Sequence, residues 1–403
     1  MGSGQRSLRA TLEGWLQRAW LRRGWWAYGL WPLSQLLWWA HQCIDQCRAL
    51  WLAPRPRAAE RLSVPLVVVG NIYVGGVGKT PIVLALIEHL QAQGLQVGVL
   101  ARGYGSTNTG EHLLERGADA KRWGDEPVLI HERTGVPVVV GVERVRAARL
   151  LLAQFPQTQV LLSDDGLQRL KHWADATICV FDERGLGNGF TLPAGPLREP
   201  WPRQRALKSP EREPTREWVI HSQSLGADPE GGESTPATHR LARAFTPGFV
   251  AQRYLTRLAR NAKGETLDLM SLTPPAPNSP SAHTPPSARS QHPAVRLVAL
   301  AGVAKPTQFF EMLSALGLPL TATLSASDHA SASELMGLLS TELGLASEPA
   351  VVLCTEKDAA KLWPLYPQAW SVALGVSLEP LFLEEFDLML RHRLSFTHGH
   401  ETH

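Results

Sequence analysis

Cysteine is scarce in this chain, with four residues among 403: Cys43, Cys47, Cys179 and Cys354. Thiols so few and so spread make no disulfide framework, and Cys179 and Cys354 sit in apolar, strand-like runs, so all four read as reduced thiols of a cytoplasmic protein. Cys43 and Cys47 lie one helical turn apart, yet no further Cys or His stands at zinc spacing beside them, which favours ordinary packing. Dense Lys/Arg runs are also missing. Forty basic against 37 acidic residues leave a net charge of +3, too mild for a nucleic-acid binder, and no basic motif interleaved with aromatics accompanies it. There is no internal repeat, and no small-residue cleavage site follows the N-terminal segment, which argues against a cleaved signal peptide.

Charge is absent from one whole stretch, Gly24 to Ile44. As helix it would reach about 30 Å, the thickness of a bilayer core. Eight of the 14 tryptophans fall within the first 51 residues, and Trp favours the headgroup level of a membrane. Pro32 interrupts the stretch, and Ser34, Gln35, His41, Gln42, Asp45 and Arg48 recur at helical spacing opposite Leu33, Leu36, Leu37 and Ile44. A helix lying in the interface therefore competes with one that spans, and a soluble hairpin packed on the body is the third reading. Arg18, Arg22 and Arg23 on one side, and Arg48, Arg55, Arg57 and Arg61 on the other, offer cations to anionic lipid.

Beyond Pro65, short β-branched runs alternate with amphipathic stretches. Strands are expected at Leu66–Gly70, Gln96–Ala101, Val136–Val140, Val160–Ser163, Ala176–Phe181, Leu297–Ala301, Leu320–Leu324, Ala350–Cys354 and Trp370–Leu374. Helices are expected near 80–93, 143–155, 306–316, 331–343, 357–363 and 380–391. The alternation implies an α/β fold, a mostly parallel sheet with helices on both faces. Two segments break it: Ser222–His239, rich in Gly, Ser, Glu and Pro, and Pro274–Pro293, which holds seven prolines. The expected division is a membrane-associated helical segment at 1–62, a first lobe at 63–271 with a flexible insertion at about 222–239, and a Pro-rich linker at 272–293. A second α/β lobe follows at 294–391, then a tail at 392–403. His392, His398, His400 and His403 fit either a metal-binding or a solvated end.

"VGNIYVGGVGKTPIV", residues 69–83, joins an apolar strand to a helix through Gly75, Gly76, Val77 and Gly78, followed by Lys79 and Thr80. Glycines let backbone N–H groups approach phosphate, the helix N-terminus adds its positive dipole end, Lys79 suits the β- and γ-phosphates of ATP and the Thr80 hydroxyl suits Mg²⁺. Tyr73 stands where the full pattern has its first glycine. A signalling GTPase would carry Asn-Lys-x-Asp, but the nearest run is Thr355-Glu356-Lys357-Asp358; a partitioning ATPase would carry lysine where Val74 stands. A kinase remains, and it needs a base for the acceptor hydroxyl and carboxylates for the metal. Asp164-Asp165, ending an apolar strand, meets the metal requirement, because adjacent carboxylates beside phosphate call for a cation. Asp125 and Glu126, just before Pro127, fit a helix cap as well as chemistry, and His329 fits a cap near Ser331 as well as a base partner. A membrane-bound ATP switch and a non-catalytic nucleotide-binding scaffold are the rival classes.

Taken in order, "VGNIYVGGVGKTP", "LARGYG", "GDEPVLI", "SDDGLQ", "LPAGPLREP", "ALAGVAKPTQFF", "SDHA" and "TEKDAAKL" resemble the tetraacyldisaccharide 4'-kinase family of lipid A biosynthesis, over the chain to about residue 375. The resemblance implies a P-loop NTPase-like core in two lobes behind an N-terminal membrane-associated helix. It also implies transfer of the ATP γ-phosphate to the 4'-hydroxyl of a tetraacylated glucosamine disaccharide 1-phosphate, forming lipid IVA at the cytoplasmic face of a Gram-negative inner membrane. ATP and Mg²⁺ are the implied cofactors. The lipid disaccharide and inner-membrane lipids are the implied partners, with no obligate protein partner. It further implies that Asp125 with His329 acts on the acceptor hydroxyl, that Glu126 supports the metal side, that Asp164 and Asp165 hold metal, and that Arg102, Gln168 and Arg198 serve an acceptor already bearing a phosphate. Val77 departs from the small hydroxyl residue commoner in the family, and the two irregular segments are longer than the family requires.

Overall fold

The computed structural model describes residues 19–51, 62–103, 110–170, 173–202, 215–224, 246–273, 296–328, 330–344 and 349–398. The Pro-rich segment, most of the 222–239 insertion, and His329, His400 and His403 lie outside the described residues. In chain order the first elements are α1 (Trp25–Trp51), β1 (Leu66–Gly70), α2 (Lys79–Ala92), β2 (Val97–Ala101), β3 (His112–Leu113), α3 (Ala120–Trp123), α4 (Asp125–Thr134) and β4 (Val138–Val140). Next come α5 (Arg144–Gln154), β5 (Val160–Asp164), α6 (Leu167–Leu170), β6 (Ala176–Phe181), β7 (Arg216–Ser224), β8 (Phe249–Arg260) and β9 (Thr266–Asp268). The last are β10 (Arg296–Ala301), α7 (Pro306–Ala315), β11 (Leu320–Ser325), α8 (Ala332–Gly344), β12 (Ala350–Thr355), α9 (Glu356–Leu362), β13 (Trp370–Leu378) and α10 (Pro380–His398).

The chain divides into two units, one of residues 1–223, 234–251 and 378–403, the other of 224–233 and 252–377. In the first, strand order is β7-β6-β1-β5-β2-β4-β3. All pairings along it are parallel except β3 with β4. Every residue of β1, β2, β5 and β6 is buried, which is why these strands read as unbroken apolar runs rather than alternating ones. Because β1 lies beside β5, Val69 pairs with Asp164, and the carboxyl ends of both strands open onto one edge. α10 returns to this unit: Phe382 and Phe386 are fully buried, their rings 5.6 and 5.9 Å from Trp218. Glu385 Oε2 accepts from Trp218 Nε1 and Arg216 Nη2, both at 2.9 Å.

In the second unit the order is β11-β10-β12-β13-β8, with β9 antiparallel to β8. β10 serves two cores. Leu297, Ala299 and Ala301 face Phe309, Phe310 and Leu313 of α7, while Val298 and Leu300 face Leu335, Leu339, Cys354 and Leu362, the two-residue period of a strand covered on both faces.

α1 contains Pro32, and among its described side chains those buried are Ala27 and Ser34. Ser34 Oγ accepts from Ala194 N at 3.0 Å, and just before the helix Trp20 O accepts from Asn188 N at 2.7 Å. Arg23 Nε donates to Asn188 O at 2.9 Å. The apolar side faces outward instead: Trp25, Tyr28, Trp31, Leu33, Leu36, Leu37, Trp39 and Ile44 are exposed. Among the described residues, no helix is long and apolar enough to cross a membrane. Cys43 is an exposed free thiol, and Cys179 and Cys354 are buried free thiols.

Candidate nucleotide site

β1 ends at Gly70, and the chain then turns through residues whose backbone only glycine adopts cheaply: Gly75 at φ 103° and Gly78 at φ 79°. Gly78 precedes the first residue of α2 without any side-chain cap, so the first N–H groups of that helix are left for a ligand. Lys79 Nζ donates to Asn71 Oδ1 at 3.2 Å and lies 3.7 Å from Asp165 Oδ1. Thr80 Oγ1 donates to Asp164 Oδ2 at 3.1 Å. The β1–β5 pairing sets Val69 beside Asp164, and the loop that follows β1 brings Thr80 back to the same strand end.

Asp164 is the last residue of β5, and Asp165 follows at φ 66°, the left-handed region that Asp tolerates better than most side chains. Its turn is held by Asp165 N donating to Val69 O at 2.9 Å and by Ser163 Oγ donating to Asp165 O at 2.9 Å. Asp164 Oδ1 and Asp165 Oδ1 are both buried without a hydrogen-bond partner. Burial, then the nearby Glu126 charge, pushes the Asp164 carboxyl up to about 7, with Lys79 and the Thr80 bond opposing. Two buried acceptor oxygens on adjacent carboxylates, one of which accepts from the Thr80 hydroxyl, form a donor set suited to a hard cation. Among the described residues no three His, Cys, Asp or Glu side chains gather closely enough to hold a metal alone. That is compatible with Mg²⁺, which takes one or two carboxylates and completes its shell with phosphate oxygens and water.

Asp125 begins α4 after Gly124, with Glu126 beside it and Pro127 third. Asp125 is half-buried and Glu126 exposed. Arg102 and Arg198 are exposed, the first just beyond β2. Arg198 reaches the loop through its backbone, donating from N to Ile72 O at 2.7 Å. Gln168 is occupied with the loop, its Nε2 within 3.4 Å of Asn71 O and 3.0 Å of Glu199 Oε1. His329 lies outside the described residues. Its neighbours are gripped by α9, with Lys357 Nζ 3.0 Å from Asp328 Oδ1 and Lys361 Nζ 3.2 Å from Ala330 O.

Three residues at this edge escape the sequence reading. Arg144, first in α5, is buried and donates to Gly141 O. Burial lowers its guanidinium to about 10 despite the Asp165 and Asp164 charges. Asn71, fully buried, donates through Nδ2 to Tyr73 O and Gly75 O. Arg184 donates to Gly76 O from across the sheet edge. Of these, Asn71 lies within a motif visible in the sequence, Arg144 bonds a carbonyl three residues before it, and Arg184 reaches Gly76 across 108 residues.

The family model described as tetraacyldisaccharide-1-P 4'-kinase matches residues 26–394. A tetraacyldisaccharide 4'-kinase of Polaromonas naphthalenivorans (strain CJ2) is 40% identical over 380 residues, 92% of this chain and 96% of the relative. Another from Polaromonas sp. (strain JS666) is 40% identical over 383 residues, 92% and 97% of the two chains. A crystal structure of the "apo" form of LpxK from Aquifex aeolicus in complex with ATP superposes with a TM-score of 0.62 at 23% identity, covering 91% of this chain and 99% of that one, which shows a shared fold. With the family model spanning nearly the whole chain and relatives at this identity along almost their full length, the chain belongs to the tetraacyldisaccharide-1-P 4'-kinase family.

Proposed function

We propose that this chain binds ATP at the 75–80 loop of a P-loop NTPase-like core and transfers the γ-phosphoryl group to the 4'-hydroxyl of a tetraacylated glucosamine disaccharide 1-phosphate. The observation that carries the proposal is the corner where Thr80 Oγ1 meets Asp164 and two carboxylate oxygens stay buried without a hydrogen bond, one of them 3.7 Å from Lys79 Nζ. Phosphoryl transfer needs little covalent chemistry from the protein; it needs positioning and offsetting charge. Lys79 leaves Asn71 and Asp165 for the β- and γ-phosphates. Thr80, Asp164 and Asp165 would hold Mg²⁺, with Glu126 in support, and the ion would offset charge on the phosphate oxygens.

Asp125 takes the proton of the acceptor hydroxyl, and the family resemblance gives His329 a part in that transfer. Arg102 and Arg198, exposed cations, suit the phosphate the acceptor already carries. Gln168 serves by holding the loop at Asn71 O. Seating follows from α1: its outward stripe of Trp25, Tyr28, Leu36 and Trp39 lies at the headgroup level of the inner membrane, on the cytoplasmic face, where an acceptor with four acyl chains resides. The deciding experiment incubates the full chain with γ-labelled ATP and tetraacyldisaccharide 1-phosphate and extracts the lipid. Label in the lipid, dependent on both the acceptor and Mg²⁺, is expected; ATP consumption with no labelled lipid overturns the proposal.

A further inference from the structure

The carbonyls of the nucleotide loop are held from behind. Asn71 Nδ2 donates to Tyr73 O at 3.0 Å and Gly75 O at 3.3 Å, and Arg184 Nη2 donates to Gly76 O at 3.1 Å. In a planar trans peptide the C=O and the following N–H point in opposite directions. Fixing Gly75 O therefore turns the Gly76 N–H away from Asn71, and fixing Gly76 O turns the Val77 N–H away from Arg184. Glycine peptides flip easily, because residues without Cβ accept either orientation, and a flipped peptide would present a carbonyl to phosphate. Two donors that pin successive carbonyls oppose that flip.

Arg184 is itself immobilised. Its Nε lies 2.9 and 2.8 Å from the two oxygens of Asp182, and its Nη2 2.7 Å from Asp182 Oδ2. The Asp182 side chain is 2% exposed. The guanidinium lies over the Tyr73 ring, 4.5 Å from its centroid. Tyr73 is the residue that replaces the motif's first glycine, and here it forms a buried shelf under the arginine. The fork of a guanidinium can serve Asp182 and Gly76 together; an ammonium cannot reproduce that geometry.

We infer that Arg184, shelved on Tyr73 and acting with Asn71, is a positioning residue that sets the Gly76 and Val77 amides toward the nucleotide's phosphates. The inference rests on the ATP-binding reading above, and it assigns Arg184 a role in nucleotide affinity rather than in acceptor binding. The test uses the full chain with Arg184→Gln and Arg184→Lys. A fluorescent ATP analogue is titrated, ATP and lipid acceptor are varied separately in steady-state assays, and melting midpoints are recorded. Arg184→Gln is expected to weaken analogue binding and raise KM for ATP by about tenfold, the worth of one charge-assisted hydrogen bond, with KM for the lipid unchanged. Arg184→Lys is expected to fall between. A lowered melting midpoint with wild-type affinity and KM for ATP would overturn the inference by showing Arg184 to be merely structural. Should Arg184→Gln not fold, Arg184→Lys, which keeps the charge and the stem, is judged by the same two constants. The titration contains no lipid, so a wild-type chain that binds the analogue but leaves the acceptor unlabelled sinks the acceptor assignment alone.

Discussion

Buried at the end of β5 beside Asp165, and close enough to Glu126 to feel its charge, the Asp164 carboxyl is pushed up to about 7 from an ordinary 3.8. A carboxyl whose folded value is raised binds its proton more tightly in the folded state, so its contribution favours folding at low pH and is lost as pH climbs through that window toward 7. Without nucleotide or metal, the melting midpoint should therefore fall between about pH 4 and 7, and Asp164→Asn should flatten the fall. Calorimetric scans across that range check this, and an unchanged slope in Asp164→Asn would contradict it. A divalent cation with ATP should restore the midpoint most at the alkaline end, where the site is ionised. Asp125 makes a separate claim. If its carboxylate takes the acceptor proton, Asp125→Ala should lower turnover by about 10²–10⁴, measured as initial rate at saturating ATP; near-normal turnover would remove Asp125 from that role.

At the scale of elements, Asp358 in α9 shows how a strand end is tied to a helix start. It is fully buried, accepts from Gly302 N at 2.9 Å and from Thr355 Oγ1 at 2.6 Å. The Thr355 hydroxyl also accepts from Asp358 N at 3.2 Å, capping α9. Burial raises this carboxyl as well, with the two bonds and the lysines opposing. Replacing Asp358 by Ala strands the Gly302 N–H after β10, and a loss of about 1–3 kcal/mol is expected, read from urea unfolding. The same scale explains which elements the sequence betrays. β1, β5 and β6 are visible because every residue in them is buried. β8 is hidden because its buried positions, Ala251, Leu255 and Ala259, stand four apart, a spacing shared by a helix face and by every second inward residue of a strand. β7 is hidden because His221 and Ser222 are buried polar residues within it, and β3 has two residues. In the site, Lys79, Thr80, Asp164 and Asp165 lie in contiguous motifs and were legible. Arg144 and Arg184 were not, because the sheet is what brings the Asp164 and Asp165 charges to Arg144 and Gly76 O to Arg184.

For the whole molecule, the proposed membrane seating rests on α1. It is moored by Trp20, Arg23 and Ser34 to the 188–194 loop, while Trp25, Leu36 and Trp39 are 88%, 66% and 60% exposed. Changing those three residues to Gln leaves the mooring intact, so folding should survive while binding to vesicles containing anionic phospholipid drops severalfold in a sedimentation assay. Equal sedimentation of the triple variant would overturn the membrane role proposed for α1.

The return of α10 to the first unit bears on the order in which the polypeptide matures. A growing chain emerges amino end first and tends to fold by domains as they are completed. Here the strands around the glycine loop are synthesised long before Phe382 and Phe386, which cover Trp218 of β7. Until those phenylalanines leave the ribosome, one flank of the nascent nucleotide-binding half stays uncovered, inviting chaperones or premature association.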